Sequence, residues 1–108
     1  MTTTFDQRER AFEMRFAQDE ELRFKANARR NRFLGLWAAS KMGFAGTDAE
    51  SYARELVTTD LDNPGSDSVF EQVSADFARR DIIVHGDEIR RMMEEFSTQA
   101  LAEIVAGK

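Results

Sequence analysis

The 108-residue sequence contains no cysteine, one proline, one histidine, one tryptophan and one tyrosine. Without cysteine there are no disulfides and no thiolate metal ligands, which fits a reducing cytoplasm. With His85 as the lone imidazole, no binuclear metal bundle built on paired Glu-x-x-His motifs is available. No apolar run approaches the roughly 18 residues of a membrane span, and the start lacks the apolar core of a secretory signal. Basic residues are also in deficit, with 15 Lys and Arg against 20 Asp and Glu and a formal net charge of −5. A body of that sign repels phosphate, which argues against nucleic acid as the main partner.

What the chain does have is apolar residues at 42% and charged residues at 32%, the balance of a soluble globular domain. Nine phenylalanines stand out. With Pro64 alone and glycines mostly at joints, the pattern reads as helix throughout. A first helical pattern opens at Thr4, whose spacing to Gln7 is that of a capping box, and runs to Met42, where Gly43 suits a left-handed C-cap with Phe44 beyond it. A second starts on the Thr47–Glu50 capping box and extends to about Asp62, with Ala49, Tyr52, Ala53, Leu56 and Val57 on its apolar face. After the DNPGSD turn, Ser66 or Asp67 caps a third helix carrying Val69, Phe70, Val73 and Phe77. The Ile82-Ile83-Val84 joint leads to a fourth, which presents Ile89, Met92, Met93, Phe96, Ala100 and Ile104 and stops at Gly107. The expected fold is all-α: a four-helix bundle-like domain over 20–108, preceded by a helical or flexible segment over 1–19.

The stretch FDQRERAFEMRF, residues 5–16, sets that segment apart. At 100° per residue, Phe5, Phe12 and Phe16 fall within about 40° of one another. Their line continues through Asp19, Arg23, Asn27 and Arg30, all polar. The stripe expected to face the core in the long helix is Leu22, Ala26, Phe33 and Trp37, centred roughly 80° away. Three readings are open for the first stripe: a fold back onto the bundle through a bend near Gln18–Glu21, a homodimer seam, or insertion into a partner. Burying three phenyl rings contributes on the order of 5–9 kcal/mol. Ordering some 15 residues costs about 1–2 kcal/mol each. A helix of that length is marginal alone and needs a surface, which a groove on another protein supplies. Arg8 and Arg15 are placed to reach carboxylates there.

The sequence FDQRE-Arg10-AFE, followed by RFAQDEELRFKANARRNRFLGLWAA and later IRRMMEE (89–95), closely resembles the zeta subunit of alphaproteobacterial F-type ATP synthases. The resemblance runs along essentially the whole chain and is most specific over Phe24–Ala39. It implies an inhibitor of ATP hydrolysis, analogous to the mitochondrial ATPase inhibitor protein. The N-terminal segment enters a catalytic interface between the large subunits and blocks the central rotor stalk, while the bundle stays outside. On that likeness Phe5, Arg8, Glu9, Phe12 and Phe16 face the partner, joined by Arg15 from the charge pattern. The implied setting is cytoplasmic, peripheral to the inner-membrane enzyme, with the free protein a monomer. Where the family carries Asp-His ahead of the last helix this chain has Gly86-Asp87, so no pH-sensing role passes to His85, which reads as a solvent-facing cap residue.

No catalytic residues are expected: the serines lack a nucleophile's setting, and the Glu94-Glu95 and Asp19-Glu20-Glu21 clusters read as solvated faces. No cofactor or metal is required. The alternative from a different class is a small nucleotide-sensing module, in which Arg29, Arg30, Asn31 and Trp37 contact the phosphates and base of ADP or ATP.

Overall fold

A computed structural model describes residues 10, 14 and 19–108 of the chain. Among these it contains four helices and no strand: α1 (Glu20–Lys41), α2 (Gly46–Asp62), α3 (Ser68–Arg79) and α4 (Gly86–Val105).

The first helix begins where a capping side chain appears. Asp19 has extended backbone angles (φ −102°, ψ 106°), and its carboxylate accepts from the backbone N–H groups of Glu21 and Leu22 at 3.0 and 3.2 Å. Two otherwise orphaned donors are thereby satisfied, and the glutamates at 20 and 21 add favourable charge to the first turn. The expectation of one pattern from Thr4 to Met42 is thus corrected at Asp19, since a capping residue marks a helix start. The other end matches expectation: Gly43 takes φ 81°, and its N–H bonds to the carbonyl of Ser40 while that of Phe44 reaches Ala39 at 2.9 Å. That pair of bonds closes the helix and turns Phe44 onto Tyr52.

The Thr47–Glu50 box does not form as expected. Glu50 sends its carboxylate across to Arg32 at 2.9 Å, and α2 starts at Gly46 without a side-chain cap on Ala45. At α3 the N-cap position is Asp67, whose carboxylate grips both arms of Arg90, and it is the Ser66 hydroxyl that accepts the N–H of Ser68. The end of α3 repeats the closing geometry of α1, with Asp81 in the left-handed region (φ 57°) and the Ile82 N–H on the carbonyl of Phe77.

Helix α1 is the spine. It packs against α2 on one side and α4 on the other, and α3 closes over the gap between those two. Its buried residues are Ala26, Asn31, Leu34, Gly35, Ala38 and Ala39. Of the stripe expected to face the core, only Ala26 is fully buried. Leu22 is half-buried, and Phe33 and Trp37 lie at the rim, on Phe96 of α4 and Phe77 of α3. The physical reason is that a helix flanked on two sides has no single apolar stripe. Its most enclosed face uses small residues so that backbones approach closely. Gly35 is the extreme case: a Cβ there would stand 2.5 Å from Ala53 Cα. Around this spine Leu34, Leu56, Val73, Phe77 and Ile89 complete the centre of the core. Met92, Met93 and Phe96 of α4 cover it from outside as half-buried residues.

Candidate partner-binding surface

The residues assigned to partner contact, Phe5, Arg8, Glu9, Phe12, Arg15 and Phe16, lie outside the described residues, as does the Thr4–Gln7 pair. What the structure gives is the point from which they depart, the capped start of α1 at Asp19. Beside that start lies an apolar groove of about 280 Å³ lined by Phe24, Ala28, Val57, Leu61 and Pro64, with Asn27 and Asp60 on its edge. Phe24 and Leu61 leave about half their surface in solvent, 54% and 48%. These are the large apolar side chains that α1 and α2 expose.

The four residues considered for a nucleotide do not converge on one cleft. Arg29 reaches Glu103 at 3.3 Å and also donates to the carbonyl of Lys108, tying α1 to the end of α4. Trp37 stands edge-on to Phe77 with its centroid 5.8 Å away, and the Lys41 ammonium lies over its ring. Asn31 is buried. Its Oδ1 accepts from Arg30 Nε at 3.0 Å, and its Nδ2 has no partner. Arg30 alone of the four lines a cleft of about 560 Å³, shared with Arg90, Met93, Glu94, Ser97 and Thr98 of α4. Burial holds the pKa of Arg30 below its usual value, and Asp60 opposes that shift.

A feature that the periodicity reading passed over is a polar network under the α2–α3 cleft. Asp76 is buried at 6% exposure on the apolar face of α3, accepts the Tyr52 hydroxyl at 2.7 Å and pairs with Arg79. Burial pushes the Tyr52 phenol up to about 12, with Glu55 raising it further and Arg79 and Arg80 opposing. The cleft above encloses about 600 Å³, and Arg80 stacks over Phe44 at its rim. The signal for it was present: an aspartate one turn after Val73 and next to Phe77 needs a buried donor, and Tyr52 is the tyrosine of the sequence. His85 occupies the N-cap position of α4, exposed, with no capping hydrogen bond from its side chain.

Among the described residues no group of three or more His, Asp or Glu side chains is placed to hold a metal ion. No described helix is long and apolar enough to cross a membrane. The class defined by the described residues is a small all-α bundle.

Comparison with known proteins takes the description further. The family model described as ATPase inhibitor subunit zeta matches residues 1–103, nearly the whole sequence, and the chain belongs to that family. A solved structure, described as the solution NMR structure of a protein, is similar at 32% identity with a TM-score of 0.69. The match covers 81% of this chain and 99% of that one. No curated protein matches significantly. The chain is therefore an inhibitor-subunit relative, a regulatory class that acts on an ATPase.

Proposed function

We propose that this protein restrains ATP hydrolysis by an F-type ATP synthase through its N-terminal segment. Residues 1–19 enter a catalytic interface of the large subunits and obstruct the rotor stalk, while the bundle remains outside. Phe5, Phe12 and Phe16 supply the apolar contact, and Arg8, Glu9 and Arg15 the charged ones. Inhibition on this reading is steric: no bond is made or broken by the inhibitor, and nothing need be bound for it to act. The protein works at the cytoplasmic face, attached to the enzyme rather than to lipid, and is a monomer when free.

The observation that carries the reading is the helix start at Asp19. A capped N-terminus there starts α1 at Glu20, so the aromatic segment precedes this helix in the sequence. In the sequence, the stripe of Phe5, Phe12 and Phe16 is out of phase with the apolar stripe of the long helix. The family match supports the same reading because it begins at residue 1, so the segment belongs to the shared pattern and is not an appendage to it.

The test is a hydrolysis assay on the cognate enzyme, comparing the full chain with a version that begins at Gln18. Starting there keeps the Asp19 cap, so a loss of inhibition reports the missing segment and not a frayed α1. The expected outcome is full inhibition by the complete chain and none by the shortened one. Equal inhibition by both would refute the assignment.

A further inference from the structure

Arg29 and Arg30 are the half-buried arginines of the bundle, and the protein treats them differently. Arg29 has Glu103. Arg30 donates its Nε to Asn31, and no carboxylate among the described residues lies within ion-pair distance of its guanidinium. Asp60 acts on it only from a distance, as the lesser influence on its pKa. Next to it the amide Nδ2 of Asn31, wholly removed from solvent, also lacks an acceptor. Arg30 itself lines the α1 side of an open cleft of about 560 Å³, with the hydroxyl-bearing Ser97 and Thr98 on the α4 side, while Asn31 lies buried behind it. A partly desolvated cation left without a counter-ion costs free energy, and a carboxylate arriving in that cleft recovers it.

We propose that Arg30 is a docking point on the bundle for an acidic side chain of the protein partner, a second contact separate from the N-terminal segment. This rests on the inhibitor reading for the identity of the partner. The cleft suits a carboxylate better than a phosphate. Its second guanidinium, Arg90, is already committed to both oxygens of Asp67 at 2.9 and 2.7 Å and stacks on Phe70 at 3.8 Å. One planar fork matches one carboxylate. Glu94 on the rim repels a doubly charged oxyanion more strongly than a singly charged group. Met93 in the lining gives the aliphatic part of a glutamate or aspartate an apolar wall.

The experiment measures the affinity of the full-length protein for the catalytic head of the ATP synthase at low and at physiological salt. Arg30→Gln is expected to weaken binding roughly 10- to 100-fold at low salt, with a smaller loss as salt rises. Arg30→Lys, which keeps the charge but not the fork, should recover part of the loss. Thermal melting of each variant checks folding: a stable Arg30→Gln protein with wild-type affinity overturns the proposal. That outcome, combined with loss of binding by a Phe12→Asp, Phe16→Asp variant, leaves the segment reading standing. A third arm titrates inorganic phosphate and follows the amides of Ser97 and Thr98. Saturation at submillimolar phosphate makes this a small-anion site and also overturns the docking proposal.

Discussion

Asp76 and Asn31 are both taken out of water, and what differs is how many of their hydrogen bonds are met. Asp76 has Tyr52 on one oxygen and Arg79 on the other, so its charge is held. Replacing Tyr52 with phenylalanine removes the better-enclosed donor, with an expected loss of about 1–3 kcal/mol seen as a lower denaturation midpoint. The same variant has a pH signature. The folded state holds the Tyr52 proton up to about pH 12, above the ordinary phenol value of 10.0. The folded form therefore keeps a proton that the unfolded chain gives up first. The resulting stability is complete below pH 10 and lost as pH climbs through the folded value. Tyr52→Phe should flatten the alkaline fall over that window, which melting at a series of pH values checks. This network was readable in outline, because an aspartate inside an apolar stripe demands a partner. The Arg30–Asn31 arrangement was not: two polar residues in a basic run look like a solvated face until the neighbouring helices are known.

At the scale of the element, the helices were legible because their stops are local chemistry. Gly43 takes the positive φ expected of it, Gly107 at the expected end of α4 does the same, and α4 closes with Lys108 N–H on the Glu103 carbonyl at 2.8 Å. The starts were less legible. Thr47 and Glu50 have the spacing of a cap, but Arg32 on the adjacent helix competes for the glutamate. The phase change between the two apolar stripes hinted at a break near Gln18–Glu21, and the hydrogen bonds of Asp19 fix where α1 starts. The face of α1 was misassigned for a similar reason. Phe33 and Trp37 dominate a hydrophobic count, whereas contact with α2 is made by residues chosen for being small. Gly35→Ala tests that contact. Its methyl group meets the Ala53 backbone, which cannot step aside as a side chain could, so the helices must separate. The expected loss is about 1–3 kcal/mol, measured by chemical denaturation, against a normal gain for alanine over glycine within a helix.

At the scale of the whole molecule, the proposed division of labour between a bundle and a leading segment predicts that stability and inhibition separate. Phe12→Asp with Phe16→Asp should abolish inhibition of hydrolysis while the bundle's melting temperature stays within about a degree, the outcome expected if those rings take no part in its core. A drop of several degrees would place those rings in the protein's own interior. The general architecture, an all-α bundle of four helices, was evident from periodicity and punctuation. Which residues of the partner are touched depends on a second molecule, and no amount of intramolecular periodicity encodes that.

The central position of α1 has a mechanical corollary. Its 22 residues span about 33 Å, packed between neighbours on two flanks from Ala26 onward and fastened near mid-length by Arg29 to Glu103. A load applied to the chain at Asp19 runs along this axis, so it must slide the helix past both flanks at once instead of unzipping contacts one by one. Shear loading of that kind spreads force over many side chains, which suits the wedge in a turning machine proposed above.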